Sequence, residues 1–205
     1  MDKSKEFVDF LKLVEKRFAK TKKRLAGEGW RENWQTLFAT ILSAQTKDET
    51  TIPIAENLFK KYPSLEKIAL ANPEDIKKII KSINYNNTKS RHLVAAANYL
   101  LHNHNGKVPN TIEELTMIPG VGRKTANLVL SECFSKRAIC VDTHVHKISN
   151  MFGFINTKTP EQTEYELIKL VPKEYWSRIN RAFVLLGKES SRYNKETLEL
   201  ILKQR

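Results

Sequence analysis

Ile118-Pro119-Gly120-Val121-Gly122-Arg123-Lys124-Thr125-Ala126-Asn127 reads as a tight turn that opens into a helix. Gly120 and Gly122 keep the backbone N–H groups of the turn clear of side chains, and such a nest ahead of a helix start can hold a phosphate. Upstream, Thr111 to Met117 predicts a short helix. Downstream, Arg123 to Phe134 places Ala126, Leu128, Val129 and Leu130 at helical spacing. The local fold is therefore a helix-hairpin-helix. Its amides grip phosphate without reading base sequence, and Arg123 and Lys124 arrive where a polyanion would lie.

The same periodicity extends in both directions from the hairpin. Phe7, Phe10, Leu11, Val14 and Phe18, then Leu37, Phe38, Ile41 and Leu42, recur at helical rather than alternating intervals. Helix starts are marked by a capping box at Thr111 and Glu114, a second at Thr159-Pro160 and Gln162, and the cap and acidic first turn of Asn72-Pro73-Glu74-Asp75. The seven prolines fall where helical patterns start or stop. Helices are expected near 4–24, 32–44, 50–61, 64–70, 73–81, 88–104, 111–117, 123–135, 142–153, 160–170, 173–187 and 194–204. No segment reads as a strand, so the expected class is all-α.

A chain of 205 residues with 40% hydrophobic content can bury a real core, and 35 Lys+Arg against 23 Asp+Glu, a net charge of +12, favours a polyanionic partner. No apolar run approaches the roughly 20 residues of a membrane span. The start, Met1-Asp2-Lys3-Ser4-Lys5-Glu6, lacks the apolar core of a secretory signal, so an intracellular protein is expected, cytoplasmic or nucleoid-bound in a prokaryote. Cys133 and Cys140 have neither CxxC nor Cys/His ligand spacing, which argues against a disulfide framework and against a metal site. Arg17 to Arg24 is basic enough to touch phosphate, although a solvated helix end explains it better.

Lys124 and Asp142 carry the question of chemistry. Lys124 falls in the first turn of the second helix, where the positive end of the helix dipole works against an ammonium charge. Neutral lysine amines form Schiff bases with sugar aldehydes when a base stands near. In Val141-Asp142-Thr143-His144, Asp142 offers such a base. On residues alone, Lys124 serves equally as a phosphate contact and Asp142 as the N-cap of a helix starting at Thr143.

Together, Ile118 to Asn127 and Val141 to His144 resemble the endonuclease III family of DNA glycosylases, within the helix-hairpin-helix glycosylase superfamily. Ile41-Leu42-Ser43-Ala44-Gln45-Thr46-Lys47-Asp48 is similar to that family's early pocket segment, and His104-Asn105-Gly106-Lys107-Val108-Pro109 to its lead into the hairpin. The likeness runs from about Trp34 to Phe152. It implies two helical lobes with a DNA-binding cleft between them: residues 26–136 carrying the hairpin, and 1–25 with 137–205 carrying Asp142. It implies a monomer acting on double-stranded DNA that contains a damaged base or an abasic site. By the resemblance, Lys124 attacks C1′ of the damaged nucleotide, Asp142 assists, and the imine permits β-elimination. Gln45 fills the vacated space, Tyr85 enters the opposite strand, Gly120, Gly122, Arg123 and His144 contact DNA, and Asp48 lies near the pocket. Oxidised pyrimidines such as thymine glycol are the implied substrates. The alternatives are thymine or uracil opposite guanine, adenine opposite an oxidised guanine, and a non-catalytic DNA-binding module.

Two departures bear on these expectations. Most of the family ends with four cysteines around an iron-sulfur cluster, whereas the tail from Phe183 to Arg205 contains no cysteine, with Ser191 near the first expected position. No cluster is therefore expected, and Leu198, Ile201 and Leu202 are expected to close the second lobe by apolar packing instead. The other departure is Asn84-Tyr85-Asn86-Asn87-Thr88-Lys89, where the family usually has glycine, an apolar residue and tyrosine. Asn84 accepts a left-handed backbone less easily than glycine.

Overall fold

A computed structural model describes residues 2–190 and 194–203. In chain order the helices are α1 (Lys3–Phe18), α2 (Asn33–Ser43), α3 (Asp48–Lys61), α4 (Leu65–Ala69), α5 (Pro73–Ile79) and α6 (Asn86–His104). They continue with α7 (Ile112–Thr116), α8 (Arg123–Phe134), α9 (Thr143–Met151), α10 (Pro160–Leu170), α11 (Trp176–Glu189) and α12 (Lys195–Lys203). Among the described residues there is no strand. The chain divides into two compact units, Arg24–Ser135 and Met1–Lys23 with Lys136–Arg205.

The unit of residues 24–135 is built around α2. Every residue from Trp34 to Leu42 except Gln35 is buried, so this helix is apolar almost all round, as a central helix must be. α3, α6 and α8 pack against it, and α4 and α5 lean on α6. Leu37, Phe38, Leu42, Leu58, Ile68, Ile76, Leu93 and Leu100 are fully enclosed, each stabilising by about 1.5–3 kcal/mol relative to exposure. Trp30 and Trp34 meet Phe59 edge-on, with ring centroids 5.0 and 5.2 Å apart.

The other unit draws on both ends of the chain. Phe7, Leu11, Val14 and Phe18 line one face of α1 and enter a core with Val145, Ile148, Phe154, Ile179, Phe183 and Leu186. Leu198 and Ile201 of α12 belong to that core, and Arg17 Nε donates to the Ile201 carbonyl at 3.1 Å. The terminal helix thus closes the unit by apolar packing. Ser191 lies outside the described residues.

Several caps form as their sequences suggest: Thr111 accepts from the Glu114 amide, Thr159 from Gln162 and Asn72 from Glu74. Three expectations need correction. α1 stops at Phe18 rather than near residue 24: Lys20, Lys22, Lys23 and Arg24 would crowd like charges on another turn, and the Thr21 hydroxyl accepts the Lys23 amide instead. Pro53 sits inside α3, not at a boundary; it is exposed in the second turn, so it forgoes only the bond that its N–H would have made to the preceding turn. Residues 173–187 open as a short 3-10 turn, Lys173–Tyr175, before α11 begins.

Candidate functional site

The hairpin is built from two close backbone bonds. The Ile118 amide donates to the Leu115 carbonyl at 3.2 Å and the Val121 amide to the Ile118 carbonyl at 3.0 Å, while buried Ile118 and Val121 anchor the turn from beneath. Its two glycines differ in purpose. Gly120 has φ +84°, and a Cβ there would meet His92 Nδ1 at 2.8 Å, so the fold itself demands glycine. Gly122 caps α8 at φ −95°, which any residue tolerates, and a Cβ there would meet nothing within 4 Å. That side of the turn is open. The first amides of a helix have no carbonyl one turn back to receive them, and Gly122 is the cap of α8.

Arg123 and Lys124 are the first two residues of α8, both exposed. The same helix is buried along Thr125, Ala126, Asn127, Val129 and Leu130, which holds the lysine's backbone firmly while its side chain faces outward. Cys133, near the end of α8, is only partly exposed, and burial pushes its thiol up to about 11. It is suited neither to nucleophilic work nor to metal ligation.

Gln45 and Tyr85, distant in sequence, occupy neighbouring turns. Both have left-handed backbones, φ 56° and 57°, a conformation disfavoured for side chains of either type. The resemblance points to Asn84 as the left-handed position, but the conformation falls one residue later, and Asn84 uses its side chain instead: its amide Nδ2 donates to the Gln45 carbonyl. The Asn84 backbone N–H donates to Thr46 Oγ1 at 3.1 Å. Gln45 and Tyr85 themselves are exposed. Asp48 opens α3, and its carboxylate accepts the Ala26 amide at 3.0 Å, tying the entry strap of this unit.

Asp142 and His144 belong to the other unit. Asp142 is the N-cap of α9, with Oδ1 accepting the Val145 amide at 2.9 Å. The extended segment before it is fixed by buried Ile139 and Val141 and by Asn180, whose amide donates to the Cys140 carbonyl at 3.1 Å. The His144 ring lies on the backbone of α11 at Gly187; a Cβ there would collide with Nδ1 and come within 2.9 Å of Cε1 and Cγ. His146, to which sequence reasoning assigns no role, engages Thr163 Oγ1 through Nδ1 at 2.7 Å.

Sequence reasoning missed Lys89, His92 and Gly187. Only Gly187 carried a signal, as a glycine inside an apolar helical run. Lys89 looks like any lysine in a helix's first turns, and its burial emerges only from packing.

Comparisons with known proteins agree with this architecture. The model of the HhH-GPD superfamily base excision DNA repair protein matches residues 38–173. Endonuclease III of Thermotoga maritima is 43% identical over 155 residues, covering 76% of this chain and 73% of that protein. A trapped endonuclease III–DNA covalent intermediate superimposes with a TM-score of 0.85 at 31% identity, over 94% of this chain and 89% of the other. A thermostable thymine-DNA glycosylase matches at TM-score 0.79 and 23% identity, over 93% of this chain and 91% of the other, a likeness of fold alone.

Proposed function

Because the chain belongs to the endonuclease III family, within the HhH-GPD superfamily of base excision DNA repair proteins, we propose that it excises oxidised pyrimidines such as thymine glycol with Lys124 as nucleophile. The enzyme is a DNA glycosylase and abasic-site lyase whose partner is DNA. The observation that carries the residue assignment is the position of Lys124: exposed, in the first turn of α8, immediately behind a glycine nest whose outer side is open.

The damaged nucleotide leaves the stack, since its C1′ is out of reach within a duplex. Gln45 fills the vacated space and Tyr85 enters the opposite strand, and the amides at Gly120 and Gly122, with Arg123 and His144, hold the backbone. Lys124 Nζ bonds to C1′ as the bond from C1′ to the base breaks; the base departs with the electron pair and takes up a proton. Asp142 accepts the proton that the lysine loses, or balances positive charge at the sugar. The sugar ring opens to an imine, which acidifies the C2′ hydrogen. Its loss expels the 3′ phosphate, and water then releases the lysine. Asp48 acts at one remove, by fixing the segment around Ala26. The trapped neighbour is a covalent complex with DNA, as a lysine nucleophile here would also form.

These 205 residues contain two cysteines, Cys133 in one unit and Cys140 in the other. An iron-sulfur cluster held by four thiolates does not fit that donor set, and we propose that the enzyme works as a monomer without one, inside the cell where its DNA is. No helix among the described residues is long and apolar enough to cross a membrane.

Borohydride trapping tests the assignment. Duplexes containing thymine glycol should yield a covalent adduct that Lys124→Ala abolishes. An adduct formed at the wild-type rate by Lys124→Ala would overturn the nucleophile. Release of uracil or thymine opposite guanine in preference to thymine glycol would replace the substrate, and absence of any adduct or nick would mark a binding module.

A further inference from the structure

Lys89 is an anomaly among the described cations. It is 6% exposed, in the second turn of α6, and its ammonium donates to the carbonyls of Leu42 and Ala44 at 2.7 and 2.6 Å. Those carbonyls end α2, where helical partners run out and the negative end of the dipole welcomes a cation. The next carbonyl, that of Gln45, is taken by Asn84, and the next side chain, Thr46, accepts the Asn84 amide. Residues 84 and 89 therefore bind four consecutive or near-consecutive groups, at 42, 44, 45 and 46. One turn after Lys89, His92 packs beneath Gly120, so the same helix also supports the hairpin.

We propose that Asn84 and Lys89 are positioning residues that fasten the Gln45 and Tyr85 turns to each other before DNA arrives, making the two gap-filling side chains one preformed wedge that sets the preference for the opposite base. This rests on the reading of Gln45 and Tyr85 as gap fillers. Left-handed Gln45 and Tyr85 are strained conformers that persist only where their surroundings hold them, and the four bonds from residues 84 and 89 supply that hold. A glycine at position 84, the residue that the family resemblance leads one to expect, has no side chain with which to reach Gln45. Asn84 thus adds a fastening to this chain, and Lys89 anchors the α2 end to which it is attached. Ordering the wedge in advance removes a conformational cost from the step that flips the base.

The test uses the full chain and the variants Asn84→Gly, Lys89→Met, Lys89→Arg, Gln45→Ala and Tyr85→Ala. Base release is followed in single turnover from duplexes with thymine glycol opposite adenine or guanine, and strand cleavage is followed on a single-stranded oligonucleotide with a preformed abasic site, which has no opposite strand to fill. Asn84→Gly and Lys89→Met should each slow release from duplex by about tenfold and narrow the ratio between the two opposite bases, with single-strand cleavage within about twofold of wild type. Lys89→Arg should recover part of the duplex rate by keeping a donor at the α2 terminus. If Gln45→Ala slows duplex release while Asn84→Gly and Lys89→Met match wild type in rate and ratio, the fastening is refuted and the gap-filling reading survives. If Gln45→Ala and Tyr85→Ala are both silent, the gap-filling reading itself fails. Equal losses on single- and double-stranded substrates in both Asn84→Gly and Lys89→Met would refute the positioning role in favour of general damage to the fold.

Discussion

His144 and Gly187 fill one another's space: the imidazole of the first turn of α9 lies directly on the α11 backbone where any side chain at residue 187 would have to stand. The half-buried ring is a spacer between two helices, two residues after Asp142, the cap of α9.

Gly187→Ala should therefore destabilise its unit by about 1–3 kcal/mol, the usual cost of overpacking, and reduce base release by displacing the cap. Adding His144→Ala should recover much of the stability, because the clash needs both groups. A double-mutant cycle by chemical denaturation measures the coupling; additive losses would mean that the two residues act separately.

The hairpin glycines should separate cleanly on substitution. Gly120→Ala meets both a positive φ and His92, and is expected to cost about 1–3 kcal/mol of stability. Gly122→Ala meets neither and should leave the unfolding midpoint nearly unchanged while weakening duplex binding, as read by fluorescence anisotropy at fixed salt. Unaltered affinity in Gly122→Ala would show that the open side of the nest is not where phosphate sits.

At Asp142, capping and chemistry make opposite demands on an amide. An asparagine side chain would still accept the Val145 amide, so Asp142→Asn should retain stability and DNA affinity yet lose most base release. Asp142→Ala should lose the same activity and, in addition, about 1 kcal/mol of stability with its cap. Thermal melts and single-turnover rates on both variants decide this; full activity in Asp142→Asn would reduce the residue to a cap.

Burial lowers the Lys89 ammonium to about 8 from its ordinary 10.5. Between those values the unfolded chain keeps a proton that the folded chain has released, so stability gains with rising pH, by no more than about 1.4 kcal/mol per unit. The gain is absent below the folded value, where both states are protonated. Wild type should accordingly improve relative to Lys89→Met as the pH climbs from about 8 towards 10 in urea titrations. A difference that is flat with pH would mean that the buried group does not titrate there.

Much of the architecture was legible because helix ends announce themselves locally. Thr111, Thr159 and Asn72 are capping residues whose partners lie two or three positions away, so sequence proximity suffices to recognise them. The hairpin was legible for the same reason, with its glycines, buried Ile118 and Val121, and the start of α8 falling within a few residues. What escaped depends on tertiary neighbours. Nothing near Lys89 in the chain reveals that the end of α2 will sit over it, and the left-handed turn at Tyr85 follows from the bonds that Asn84 makes to Gln45 and Thr46. Likewise, the distinction between the two glycines came only with His92, which lies 28 positions before Gly120. Pro53 misled for a different reason: a proline on the solvent side of a helix's second turn removes one bond, and the rest of α3 outweighs it.

The division of the chain has a consequence for its birth on the ribosome. Residues 24–135 form a unit that is continuous in sequence, able to collapse as soon as it has emerged, whereas the apolar face of α1, which precedes it, belongs to a core completed by residues 136–205. Phe7, Leu11, Val14 and Phe18 are thus synthesised early and sheltered late. During that interval the nascent chain carries an oily stripe with no resting place, on a helix whose other positions include Lys3, Lys5, Lys12 and Lys16.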